Sequence, residues 1–125
     1  MKLINKKIVK QRIKEEYETN IKLTSENVKK VLNKIIKSNE YKIKKVELKD
    51  DISLFDDGIR KDYKEKNGME EFINNNLKDE ITNVFIWIEY DKKEICMGIE
   101  LDKNRITTSC KEKIDIKNLL QIFEN

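Results

Sequence analysis

Apolar residues recur along this chain with two different periods, and each change of period marks an element. Val28, Val31, Leu32, Ile35 and Ile36 stand at i, i+3, i+4, i+7 and i+8, the stripe of an amphipathic helix. Thr24 can cap its start, and Glu26 falls in the first turn, where the positive end of the helix dipole favours an acid. The opposite side collects Lys29, Lys30, Asn33, Lys34 and Lys37, so one face is core and the other basic. Ile4, Ile8, Val9, Ile13 and Tyr17 follow the same spacing less cleanly and predict an earlier helix over residues 4 to 18, stopped at Asn20. Met69, Phe72, Ile73, Leu77 and Ile81 predict a third, begun by the capping-box-like pair Asn67 and Glu70. A last helix is expected from Asp115, with Ile114 and Leu119 as a hydrophobic staple and Ile116, Leu120 and Phe123 on the buried side.

Period-two alternation takes over elsewhere. Tyr41/Ile43 slipping to Val46/Leu48 reads as an edge strand with a bulge, its lysines guarding the edge. Three further strands, near 84 to 90, 94 to 101 and 105 to 110, form an antiparallel meander if Asp91-Lys92-Lys93 and Asp102-Lys103-Asn104 are three-residue turns. In that register Phe85, Trp87, Met97, Ile99 and Leu101 share one face, and Val84, Ile86, Ile88 and Ile106 the other. The acidic stretch between them, residues 50 to 66, predicts turns and a short helix around Ile59 and Tyr63. The expected fold is α+β, an antiparallel three- to four-stranded sheet packed against helices in the order ααβ(α)αβββα. Residues 1–125 form one domain, helical over 1–38 and α+β over 41–125.

Composition narrows the chemistry. The 125 residues include no His, which removes Ser-His and Cys-His nucleophiles and His-ligated metals. Two Cys are too few for a disulfide framework, and the longest apolar run, Val84 to Ile88, is too short to span a bilayer, so a cytoplasmic protein with no membrane partner is expected. With 24 Lys and 19 Ile against 3 Arg, the composition is also what an AT-rich coding sequence produces, so lysine counts alone carry little. Their placement carries more: residues 1–49 have a net charge of +9 and residues 50–125 of −6. Such bipolarity points to a macromolecular partner or to self-association as a homodimer.

Four constellations bear on chemistry. A three-residue loop at 102 to 104 would set Cys96 opposite Cys110, as a packed thiol pair or, less commonly, a redox or metal pair. Asp50, Asp51, Asp56, Asp57 and Asp62 form an acidic cluster, but neither Gly58 nor Gly68 fits the turn of a calcium loop. Glu47-Leu48-Lys49 has the acid-x-Lys form of metal-dependent nucleases, yet five such triplets occur, the number expected by chance. Finally, the stripe Lys29, Lys30, Lys34 and Lys37 suits phosphates, although arginine, the usual reader of bases, is scarce. The stretch from Leu23 to Lys37 is loosely similar to a helix of the histone-like DNA-bending proteins. That family's glycine-rich strands and proline-tipped arm are missing, so its function is not carried over.

Elimination leaves a non-catalytic protein with no cofactor or metal, which binds and inhibits or neutralises another protein or a ribonucleoprotein. By analogy this is an immunity or anti-defence factor of the kind that phage and mobile elements carry. Trp87 and Met97 on the sheet, with Asp50, Asp51, Asp56 and Asp57, are the expected docking residues. The alternative is a nucleic-acid-binding protein using Lys29, Lys30, Lys34 and Lys37; the third is a nuclease using Glu47 and Lys49.

Overall fold

Two stretches dominated by β-branched and charged residues, 1–18 and 83–110, and one helical stripe between them decide the architecture. A computed structural model describes residues 1–50, 61–63 and 68–124. Its strands are β1 (Lys2–Val9), β2 (Arg12–Glu18), β3 (Lys42–Lys49), β4 (Lys61–Tyr63), β5 (Asn83–Tyr90), β6 (Lys93–Glu100) and β7 (Arg105–Cys110). Its α-helices are α1 (Ser25–Lys37), α2 (Met69–Asn76) and α3 (Lys117–Ile122). All strands pair antiparallel in the order β1-β2-β7-β6-β5-β3-β4. The sheet therefore has six long strands and a three-residue seventh at one edge, where the sequence pattern led us to expect three or four.

The largest correction lies at the N-terminus. Residues 4 to 18 are a β-hairpin, not a helix, turned by Lys10 (φ 50°) and Gln11 (φ 64°). Two successive left-handed residues make the two-residue turn whose twist matches paired strands, and it is usually built from Asn and Gly. Here it uses neither, and a bulge between Leu3 and Asn5 breaks the alternation of β1, so the hairpin lacks both of its sequence signals. The short helix expected around Ile59 and Tyr63 is replaced at Lys61–Tyr63 by β4, which pairs with Val46–Leu48; Ile59 and Asn67 lie outside the described residues. The β3 bulge is present between Ile43 and Lys45, but β3 is flanked on both sides and is not an edge. The last helix starts two residues late, with Asp115 accepting from the Lys117 amide at 3.1 Å.

Turn lengths also shift the meander by one residue. Asp91 (φ 49°) and Lys92 (φ 62°) form a two-residue turn, so Tyr90 pairs with Lys93 and Trp87 with Cys96. Between β6 and β7 the chain takes four residues, a 3-10 turn at Leu101–Lys103 and Asn104 at φ 52°, so Glu100 pairs with Arg105. Asn104 also ties this loop to the start of α1, accepting from the Leu23 amide on its side chain at 2.9 Å and from the Thr19 amide on its carbonyl at 3.1 Å.

This register sorts the sheet into two faces. The inner one carries Ile43, Val46 and Leu48 of β3, Val84, Ile86 and Ile88 of β5, Ile95, Met97 and Ile99 of β6, and Ile106 of β7, all buried. Against them pack Val28, Leu32 and Ile35 of α1, Ile73 of α2, and Leu119, Leu120 and Phe123 of the α3 region, in one continuous core. Thr24 caps α1 as expected, accepting from the Asn27 amide at 3.1 Å. No helix of the described residues lies on the outer face. At the far edge, β1 holds the exposed large apolar residues of the described chain, Leu3, Ile4 and Ile8, among Lys2, Lys6 and Lys7, charges of the kind that keep an edge strand from pairing with other chains.

Left-handed backbone costs a residue with a Cβ about 1 kcal/mol or more that glycine avoids. Replacing Asp91-Lys92 by Asn-Gly should therefore raise the urea midpoint by an amount equivalent to about 1–2 kcal/mol. A fall in the midpoint would show that these side chains, not the turn geometry, hold the hairpin.

Candidate functional site

The outer face of the sheet contains a trough of about 440 Å³ across β5, β6, β7 and the hairpin. Its first wall is aromatic: Phe85 and Trp87, two residues apart on β5, point away from the core and stay half-buried. The floor is low because Gly98 and Thr107 face each other there, and a Cβ on Gly98 would lie 2.7 Å from Thr107 Oγ1 and 3.3 Å from the Phe85 ring. The second wall comes from the hairpin, where Lys7 of β1 stands directly opposite Lys14 of β2, both exposed.

Charge in and around the trough is unevenly compensated. Glu16 pairs with Arg105 at 3.3 Å, and Glu100 with Lys103 at 3.7 Å. Behind the aromatic wall, Glu47 is only 7% exposed and lies 3.0 Å from Lys49 and 3.6 Å from Lys45. The same lysines sit over the rings, Lys45 4.6 Å from the Trp87 centroid and Lys49 5.7 Å from that of Phe85. Arg12 donates to the Ser109 hydroxyl at 2.6 Å, to the Ser109 carbonyl at 3.0 Å and to Cys96 Sγ at 3.5 Å. Among the described residues, none of Lys7, Lys14 and Arg12 has a carboxylate within ion-pair distance. The acids Glu16 and Glu100 of the lining are thus neutralised by Arg105 and Lys103, and the cations without a carboxylate partner gather at the hairpin wall, where Lys7 and Lys14 are a like-charge pair that disfavours the hairpin.

The residues expected from sequence fall in several places. Trp87 is on the trough wall, whereas Met97 is 2% exposed on the inner face; the one-residue register shift separates them, so they cannot form one docking patch. Asp50 follows β3 and is half-buried, and Asp51, Asp56 and Asp57 lie outside the described residues. Lys30, Lys34 and Lys37 are exposed on α1 and Lys29 is half-buried, with Lys37 3.8 Å from Glu70 of α2. This basic stripe lies beyond the helical layer, on the opposite side of the molecule from the trough. The acid-x-Lys pair Glu47 and Lys49 is an ion pair with each other, and both oxygens of the carboxylate face lysines.

Cys96 and Cys110 do not face each other. Cys110 pairs with Ile95 on the inner face and Cys96 with Ser109 on the outer, so the sheet itself separates the two thiols and neither a shared metal nor a disulfide can join them. Burial pushes both thiols above their ordinary pKa, with Arg12 pulling the other way. Both are therefore protonated near neutrality and poor nucleophiles.

Sequence reasoning missed Lys7, Lys14, Arg12 and Gly98 as parts of one site, because the segment carrying the cations reads as a helix. In a larger cavity, about 590 Å³ beneath the hairpin beside α3, Tyr17 donates to Glu15 at 2.7 Å, and the Met1 amino terminus pairs with Glu124. No helix of the described residues is long and apolar enough to cross a membrane, and no group of three or more His, Cys, Asp or Glu side chains among them is placed to hold a metal ion. No protein-family model, curated protein or solved structure matches the chain.

Two outcomes check this geometry. Gly98→Ala should destabilise the fold by about 1–3 kcal/mol, as overpacking does, and adding Thr107→Ala should restore part of the loss in a double-mutant cycle. Independent effects would mean that the two side chains do not meet. In the native protein, alkylation near neutral pH should be slow and confined to Cys96, with Cys110 reacting only after denaturation. Arg12→Gln should slow Cys96 further by removing the charge that favours its thiolate; mass spectrometry of the labelled peptides reads both, and faster labelling of Cys96 would contradict the assignment.

Proposed function

We propose that the chain is a small non-catalytic protein that binds and neutralises a macromolecular partner, and that the partner docks on the uncovered face of the sheet. One observation carries this reading: three helices roof one face of the sheet, while on the other Phe85 and Trp87 stay half-exposed beside Gly98, with no helix among the described residues over them and only the Lys45 and Lys49 side chains against their rings. An aromatic centre with arginine nearby and a polar rim is the composition of binding hot spots. Here the rim consists of Glu16–Arg105, Glu100–Lys103 and Glu47 with its two lysines. The partner presents negative charge, since Lys7, Lys14 and Arg12 await counter-charges. An inhibitor or immunity factor of this sort needs no reactive group of its own. It needs a rigid surface that competes for its partner's working site.

The test is differential recovery. A tagged chain should recover one stoichiometric partner from cells that express it. Trp87→Ala should weaken that complex roughly thirtyfold, the ~2 kcal/mol typical of a central aromatic anchor. Lys30→Glu with Lys34→Glu, on the far side of the molecule, should leave it unchanged. Equal affinity of the Trp87→Ala variant for the recovered partner would move the docking surface off the sheet.

A further inference from the structure

We propose that the trough holds a single strand of nucleic acid, its bases against Phe85 and Trp87 and its phosphates on Lys7, Lys14 and Arg12. This rests on the reading of the uncovered face as the docking surface and names the chemistry of what docks there. Three features of the trough converge on it.

The first is the spacing of the aromatic wall. Phe85 and Trp87 are two residues apart on one strand, hence about 7 Å apart along it. That is about twice the ~3.4 Å rise per nucleotide of a duplex strand, so successive bases of a stretched single strand can each meet a ring as the Lys45 and Lys49 side chains move off it, whereas bases stacked in a duplex cannot. The second is the charge balance. Of the acids at the trough, Glu16 pairs with Arg105, Glu100 with Lys103, and Glu47 with Lys45 and Lys49, and Glu15 accepts from the Tyr17 hydroxyl, while the hairpin cations Lys7, Lys14 and Arg12 have no carboxylate partner among the described residues. Lys7 directly opposite Lys14 costs the free hairpin stability, and a phosphate between the two ammonium groups removes that cost. The third is the floor. Gly98, Thr107 and Ser109 leave space between an aromatic wall and a cationic wall, the combination by which proteins bind single strands without reading sequence. Sequence tolerance also follows because Arg12 Nε and Nη2 already donate to Ser109, which leaves Nη1 for a phosphate but no two-pronged fork to read a base edge.

The chain's single tryptophan is Trp87, so its fluorescence reports the site without a label. The experiment titrates the full chain with oligo-dT and oligo-U of about ten nucleotides, within the site size of small single-strand-binding folds, and with a duplex of equal length. Both single strands should quench Trp87 at micromolar concentration. With three phosphate contacts the log–log salt slope should be near −2, roughly a twentyfold loss of affinity between about 50 and about 200 mM salt. Lys14→Glu should lower affinity at least tenfold and reduce that slope by about one while raising the melting temperature, because it replaces a cross-strand repulsion with an attraction. Loss of binding in this variant cannot then come from unfolding. Trp87→Leu, followed by anisotropy of labelled oligonucleotide, should also weaken binding about tenfold.

The inference is overturned if the duplex binds as tightly as the single strands, if Lys14→Glu and Trp87→Leu leave affinity unchanged, or if only Lys30→Glu with Lys34→Glu abolishes it, which would place nucleic acid on α1. Absence of quenching at tens of micromolar and low salt also overturns it. If Trp87→Ala then still releases the partner recovered from cells, the uncovered face docks a protein; if it does not, both readings fail.

Discussion

A two-residue turn at Asp91-Lys92 decides which side of the sheet each residue of the meander occupies. Strand side chains alternate, so lengthening that connection by one residue would carry Cys96, Gly98 and Glu100 to the helices and bring Ile95, Met97 and Ile99 into water. The apolar set of β5 and β6 can be buried by one layer of helices in only one register, and hydrophobic burial of Val84, Ile86, Ile88, Ile95, Met97 and Ile99 enforces it against the cost of two left-handed residues. The outer face is what remains once this constraint is met. Gly98 lies on it opposite Thr107 because Ile99 must lie beneath, and Trp87 stands above the sheet because Ile86 and Ile88 take the core.

How far this could be read from sequence differs by element. Helix α1 was fully legible, since its cap residue, acidic first turn and 3.6-residue stripe all agree. The strands of the meander were found but not their register, because nothing in Asp91-Lys92-Lys93 distinguishes a two-residue from a three-residue turn; aspartate tolerates positive φ, and lysine gives no sign of it. The N-terminal hairpin was misread for a physical reason. Neither of its faces is fully covered, so its apolar residues do not alternate, and Ile4, Ile8, Val9 and Ile13 match a helical spacing by coincidence. The candidate site went with it, because half of the trough is built from that hairpin. Trp87 could be singled out as an aromatic on a two-faced strand, but its neighbours could not.

The bipolar charge also changes meaning once folded. The basic first 49 residues do not make one basic side. Folding sends the α1 lysines to the solvent face of the helical layer and the hairpin lysines to the edge and outer face of the sheet, with the sheet and its core between them. On α1 the charges line an ordinary solvated helix face, where Lys37 has found Glu70. On the hairpin they meet acids of β2 across the strands, Lys2 against Glu18 and Lys6 against Glu15, except at one rung, where Lys7 meets Lys14. That exception stands at the wall of the trough, so the uncompensated charge has a location as well as a sign.

Stability alone gives no reason for this rung. A glutamate at either position would convert a repulsion into an attraction on an exposed surface at no packing cost, and neighbouring rungs of the same hairpin already have that arrangement. Nor does stability explain Trp87 and Phe85 on the open face, since polar residues would serve a solvated sheet equally well. Departures from local optimality that gather in one place, while the core and the caps of the same molecule follow the ordinary rules, are what binding demands of a scaffold. The aromatic wall and the lysine pair stand on different strands and come from distant parts of the chain, yet they face each other across a floor kept low by Gly98. A partner that supplied both a flat apolar surface and negative charge would relieve both at once. This is the physical reason to look for the proposed docking surface on the uncovered face and not on the more basic helix.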